Sequence, residues 1–224
     1  MISDRAVILD TLRERICLVP PGENVVIKEK ELATEFDLSR TPIRQVLQTL
    51  ANEGLLAVKP GFGSVTTELR AQDRAEHMEV FRQLALASVT ILGDSPVTED
   101  AKMELSAIDG FVSNVEKPTP ELFLRLNGRL LRALTGSLKD PILSYAFQAA
   151  QWRVVRWRTW DMVQNLDQNW TIFAGNISRA VGICHTCKAA DLMDIAANAV
   201  VRYKDPESLK AANLSPQPTT LRST

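Results

Sequence analysis

The sequence predicts a mainly α-helical protein: an N-terminal winged helix-turn-helix, then an antiparallel all-helical bundle of about six helices. Three observations predict it. Two helical stretches flank a tight turn at residues 37–39. Two β-rich runs bracket a Pro/Gly-rich tip at residues 59–63. After residue 70, amphipathic segments follow one another with only short polar breaks, the pattern of a helix bundle.

Residues 4–18 read as the first helix because Ile8, Leu9, Leu12 and Ile16 recur at helical spacing, and Pro20, Pro21 and Gly22 stop it. Residues 28–36 form a short helix and residues 40–53 a second, with Ile43, Val46, Leu47 and Leu50 on its inner face. Gly54 then stands where a helix C-cap glycine belongs. Residues 55–58 and 64–67 are short strands joined by the hairpin tip Lys59-Pro60-Gly61-Phe62-Gly63. Helices follow at 71–93, 98–115, 119–136, 140–164, 167–185 and 187–203. Phe123, Leu126, Leu130 and Leu134 give the cleanest apolar stripe. Residues 206–224 are polar, contain three prolines and lack periodicity, which predicts a disordered tail. The expected division is 1–68 for the winged helix-turn-helix, 71–204 for the bundle and 206–224 for the tail.

Composition bounds the function. The 224 residues are 45% hydrophobic and 24% charged, an ordinary globular mixture. Net charge is −1, and the first 70 residues carry nine Lys and Arg against ten Asp and Glu. A nucleic-acid surface must therefore be local, with acidic residues expected on the opposite side. Cys17, Cys184 and Cys187 are an odd, sparse set, unlike a secreted disulfide scaffold. The N-terminus reads as no signal peptide, and no apolar run reaches the ~18 residues that span a bilayer, so a cytoplasmic, membrane-free protein is expected. No nucleophile elbow, phosphate loop or HExxH run is present, so no enzyme and no catalytic residue is expected.

Residues 28–53 carry the chemistry. Ala33 is small where the two helices approach. Asp37 tolerates a left-handed turn better than most residues. Ser39 is placed to cap the second helix, and Pro42 falls in its first turn, where a missing N–H is harmless. That leaves Arg40, Thr41 and Arg44 at the exposed N-terminal end, the end a recognition helix turns to base edges in the major groove. Arg pairs bidentately with guanine O6 and N7. Lys28 and Lys30 flank this end from the first helix. Lys59 sits on the hairpin, where Gly61 and Gly63 let the backbone approach a phosphate closely. The competing reading treats the Ser-Arg-Thr-Pro run as a helix cap with solvated arginines.

The run ELATEFDLSRTPIRQVLQTLANEGLLAVKPGFGSVT resembles the N-terminal domain of GntR-family regulators over about 65 residues. The resemblance implies DNA contacts at Lys30, Ser39, Arg40, Thr41, Arg44 and Gly61. Departures are mild: Asp37 replaces the usual turn glycine, Leu38 and Ile43 replace valines, and Lys30 stands where the family often has arginine. It implies a transcriptional regulator, by family habit a repressor, acting as a homodimer on a double-stranded operator.

The helical half is similar to the fatty-acid-regulator-like subgroup of that family, the FCD type. Two segments carry this: Glu79-x-x-Arg82, and the run FLRLNGRLLRALTGSLKDPIL at 123–143. Many such domains hold a divalent metal through an Asp and three His. The corresponding positions here are Phe123, Asn127, Ala174 and Ala196, and His77 and His185 do not align with them. The expectation is no metal and no cofactor. A carboxylate-type small-molecule effector then requires cationic and polar side chains, for which Arg82, Asn127, Trp152, Arg156 and Thr159 are candidates. Two alternatives stay open: these tryptophans and arginines are core and surface residues only, and the bundle serves only to dimerise a constitutive DNA binder. Cys184 and Cys187, one helical turn apart, read either as structural or as a soft-metal or redox pair. His77 is expected to be solvated.

Overall fold

The computed structural model describes residues 4–59 and 63–201. The expected tail at 206–224 and the hairpin-tip residues 60–62, Gly61 among them, lie outside the described residues. The order is α1 (Asp4–Cys17), β1 (Val26–Ile27), α2 (Glu29–Glu35), α3 (Arg40–Asn52), β2 (Leu56–Lys59), β3 (Gly63–Thr66), a 3₁₀ turn at Ala71–Asp73, then α4 (Arg74–Leu92), α5 (Glu99–Asn114), α6 (Pro120–Thr135), α7 (Pro141–Gln164), α8 (Leu166–Cys184) and α9 (Ala189–Ala199). The last helix stops four residues short of the expected 203.

In the N-terminal part, α1 packs on α3, and α3 buries Ile43, Val46, Leu47 and Leu50. The turn between α2 and α3 places Asp37 at φ 51°, and the Leu38 N–H closes it onto the Ala33 carbonyl at 3.0 Å. The strands form an antiparallel sheet in the order β1-β3-β2. β1 is only two residues long, too short for any alternating pattern to announce it. Gly63 opens β3 at φ +99°, and a Cβ there would meet the Ile27 carbonyl oxygen at 3.1 Å, so the third strand requires glycine at this point.

The bundle helices α4 to α9 start on side-chain caps in several places. Thr98, Thr119, Asp140 and Asn165 each accept from an amide three residues on. Pro120 and Pro141 fill first-turn positions. The core runs continuously from the α1–α3 pair into the bundle.

The 24-residue α7 joins the two parts. It packs against α4, α6 and α8 and also meets α1. Gly54, at φ +71° after α3, lies 3.7 Å from the Ala149 side chain as measured from an added Cβ. Nearly the whole circumference of the second half of α7 is buried, including Trp152, Arg156, Trp157 and Arg158. A helix covered on all sides loses the polar face that makes periodicity legible.

Candidate DNA interface and bundle cavity

Arg40, Thr41 and Arg44 are exposed on the first two turns of α3, with Gln48 exposed one turn further on. The helix projects them because the opposite stripe, Ile43, Val46, Leu47 and Leu50, is committed to the core. Pro42 lies in the first turn, as its chemistry requires. Ser39 occupies the N-cap with extended backbone, but its side chain makes no cap hydrogen bond, contrary to the sequence-based expectation. The α3 N-terminal amides therefore receive nothing from this hydroxyl.

Lys30 and Lys59 are exposed, on α2 and at the end of β2 respectively. Lys28 is the N-cap residue of α2 and pairs with Glu31 at 2.8 Å. Ile27, Glu29, Arg44, Leu47, Gln48, Val58, Gly63 and Ser64 line one cleft of about 280 Å³ between α3 and the hairpin. Recognition-type helix and hairpin thus lie side by side.

The expected segregation of charge does not occur. Glu29 and Glu31 sit among the lysines of α2 instead of on the far side. Glu29 grips Arg44 with both carboxylate oxygens, Arg44 Nε donating at 3.1 Å and Nη2 at 3.0 Å. Hydrogen bonding to Glu29, then its charge, raises the Arg44 pKa above the usual guanidinium value.

In the bundle, a narrow cavity of about 60 Å³ lies between α4, α5, α6, α7, α8 and α9. Its walls are apolar, Phe81, Leu134, Phe173 and Ile177 among them, and four polar groups reach it: Asn127, Gln151, Arg158 and Asn176. The Asn127 amide donates to the Phe123 carbonyl at 2.8 Å. Gln151 Oε1 and Asn176 Nδ2 are buried and make no hydrogen bond among the described residues. The Arg158 guanidinium lies 5.1 Å from the Phe123 ring centroid and 5.8 Å from that of Phe173.

Of the five expected effector residues, only Asn127 lines this cavity. Arg82 folds back onto Glu79 of its own helix, at 2.7 Å. Thr159 is buried and bonds the Val155 carbonyl. Trp152 and Arg156 point the other way, toward the N-terminal part. Trp152 lies under the Arg13 guanidinium, 5.1 Å from ring centroid to Cζ, and Arg13 pairs with Glu53 and Asp10. Arg156 Nη1 donates to the Thr67 carbonyl at 2.7 Å and to its hydroxyl at 2.9 Å, while Nε and Nη2 are buried without a partner. Burial holds the Arg156 pKa below its usual value. The cation in the cavity is Arg158, two residues, and so about 200°, further round the helix. On a helix buried all round, no polar face marks which stripe meets the cavity.

Two other expectations change. His77 is half-buried, and its Nδ1 accepts from Trp157 Nε1 at 3.1 Å. Cys184 ends α8 and is fully buried, whereas Cys187 lies past the helix end, so the two do not share a helical face. The positions expected from metal-binding relatives do converge in part, since Asn127 and Ala196 both line the cavity. Their chemistry does not suit a divalent ion: Phe123, Ala174 and Ala196 bring no donor atom, leaving one amide. Among the described residues no three His, Cys, Asp or Glu gather around one point, and no helix is long and apolar enough to cross a membrane.

Comparison with known proteins agrees with this architecture. The profile of the family "Bacterial regulatory proteins, gntR family" matches residues 6–65. The HTH-type transcriptional repressor RspR of Escherichia coli K12 is 29% identical over 89 residues, 40% of this chain and 38% of that protein. The fatty acid metabolism regulator protein of Haemophilus influenzae is 28% identical over 107 residues, 48% of this chain and 44% of that protein. The aligned stretches thus span about two-fifths of the length of these relatives. Among solved structures, E. coli McbR/YncC superposes with a TM-score of 0.65 at 16% identity, over 95% of this chain and 100% of that one. A structural-genomics GntR structure from Rhodococcus sp. RHA1 gives 0.55 at 17% identity, over 96% and 100%. At these identities the structural likeness speaks for the fold. The helix-turn-helix part of this chain, residues 6–65, is thus similar to the bacterial gntR family of regulatory proteins.

Proposed function

We propose that the chain is a cytoplasmic transcriptional regulator, a repressor in its simplest mode, that binds a double-stranded operator as a homodimer. Residues 1–68 serve as the DNA-binding domain and residues 71–204, FCD-like, as the effector-binding and dimerisation domain. The observation that carries the reading is the exposed Arg40, Thr41 and Arg44 face of α3 beside the Gly63 hairpin. An α-helix fits the major groove, and these side chains occupy the end that reaches base edges. Lys30 and Lys59 supply phosphate contacts alongside.

The effector is a small carboxylate held in the bundle cavity, with no divalent metal. Arg158 supplies the cation, and Asn127, Gln151 and Asn176 supply hydrogen bonds, the last two having polar atoms that lack protein partners. α7 carries the signal: Gln151 and Arg158 face the cavity, while Trp152 and Arg156 hold α1 and the Thr67 end of the hairpin. The cavity's size, about 60 Å³, favours a second reading in which the bundle only dimerises and the DNA binding is constitutive.

Selection from a randomised duplex pool tests the DNA reading. The wild-type chain should enrich one two-fold-symmetric sequence, and Arg40→Ala and Arg44→Ala should each weaken its binding while leaving the fold intact. Failure to enrich any sequence would overturn it. Melting in the presence of C2–C6 monocarboxylates separates the two readings of the bundle. Stabilisation that Arg158→Met abolishes supports the effector site, and no stabilisation by any of them supports the constitutive dimer.

A further inference from the structure

Arg44 is the most exposed arginine of an ion pair in this molecule, at 72% side-chain exposure among the described pairs, yet it is held along one edge. Its Nε and Nη2 are taken by Glu29, whose side chain is 27% exposed at the start of α2. A guanidinium has five N–H groups in a rigid plane. Two are spent on Glu29. The remaining three are on Nη1 and Nη2, and one from each nitrogen forms the parallel end-on fork that matches guanine O6 and N7.

On the reading that α3 enters the major groove, we infer that Glu29 is a positioning residue that determines specificity. Its carboxylate fixes the side edge of Arg44 and leaves the end-on fork for one guanine. The arrangement acts in two ways. It removes rotamer freedom from a long side chain before DNA arrives, so less ordering remains to be done at the base. It also places a negative charge where Arg44 would otherwise swing onto a phosphate, which disfavours sequence-independent contact. Glu29 and Arg44 share the cleft with Gly63 of the hairpin, so the pair sits inside the proposed interface and not at its rim. Arg40 and Lys30 are exposed without such a clamp in the described hydrogen bonds, so the device belongs to one arginine.

The test uses the full chain and two duplexes, the sequence it enriches from a random pool and a scrambled one of equal length. Glu29→Gln should leave the melting curve unchanged, because exposed ion pairs contribute little to folding. It should tighten binding to the scrambled duplex by about three-fold at low salt and lower the selected-to-scrambled affinity ratio by about ten-fold. The loss should fall on a single guanine position when each base pair of the site is substituted in turn. In an Arg44→Lys background, which has no fork, Glu29→Gln should cause no further loss of ratio. An unchanged ratio would overturn the inference. Equal tightening on both duplexes is the form of that result in which Glu29 is a mere competing charge. If the wild-type chain enriches no sequence, it is the DNA reading that fails, an outcome distinct from an unchanged ratio.

Discussion

Two buried arginines contact α7's surroundings in opposite electrostatic states, and replacing each with methionine should separate them. Arg74 on α4 meets Asp161 on α7 through two parallel hydrogen bonds, Nη1–Oδ1 at 2.9 Å and Nη2–Oδ2 at 2.7 Å, with both side chains at 10% exposure or less. Its guanidinium also lies 5.4 Å from the Trp157 ring centroid. Arg74→Met strands the Asp161 carboxylate away from water, a change that costs about 3–5 kcal/mol. Among the described residues Arg156, at 1% exposure, bonds only Thr67 and leaves Nε and Nη2 without partners. Arg156→Met gives up two charge-assisted bonds of roughly 1.5–3 kcal/mol each. It also removes a buried charge whose desolvation cost is about several kcal/mol, with no carboxylate left behind. The Thr67 hydroxyl keeps its own bond to the Gly54 carbonyl at 2.8 Å. The opposing terms cancel to within about 1 kcal/mol. Urea unfolding followed by tryptophan fluorescence measures both, since Trp152 and Trp157 lie buried beside the two sites. Arg74→Met should lower the midpoint strongly at unchanged slope, and Arg156→Met should barely move it. If Arg156→Met destabilises as much as Arg74→Met, the reasoning is wrong and the Arg156 charge is compensated.

Gly63→Ala should destabilise the hairpin by about 2 kcal/mol in the same assay, since it forces φ +99° on a side chain and brings Cβ to 3.1 Å from the Ile27 carbonyl. Gly54→Ala, at φ +71° with only an ordinary contact to Ala149, should cost about half as much. Burial, then the nearby Arg153 charge, lowers the His77 pKa, so the folded state favours the neutral ring that accepts from Trp157. This stability is complete above the unfolded histidine pKa and is lost as pH falls through and below that value. His77→Gln should therefore flatten the decline of the unfolding midpoint between pH 7 and pH 5. Burial raises the Cys17 thiol to about 12 and also raises Cys184 and Cys187. In a thiol-labelling time course at pH 8, half-buried Cys187 should react first, and fully buried Cys184 and Cys17 only on unfolding.

Much of the fold was legible because its signals are local. The inner stripe of α3, the turn at Asp37, the C-terminal glycine at 54 and the Gly63 hairpin depend on neighbours a few residues away. They emerged within two residues of their expected places, as did five of the six bundle helices at their starts. The exposed Arg40, Thr41 and Arg44 follow from the same stripe, since fixing the buried face fixes the other. β1 escaped because two residues carry no period, and the missing Ser39 cap bond escaped because a cap needs a side-chain torsion as well as a residue type.

What the chain's order of residues determined by itself was therefore the winged helix-turn-helix, the helical bundle and the face α3 leaves exposed. What only the tertiary structure decided was where the charges of α7 and α2 go. On α7 it sent Arg158 into the bundle cavity and Arg156 to Thr67. On α2 it folded Glu29 across to Arg44, fifteen residues away, instead of leaving it on an acidic far side. The reason is that a helix packed on all sides has no polar face to read, and an ion pair between helices is set by their crossing, which no local spacing encodes.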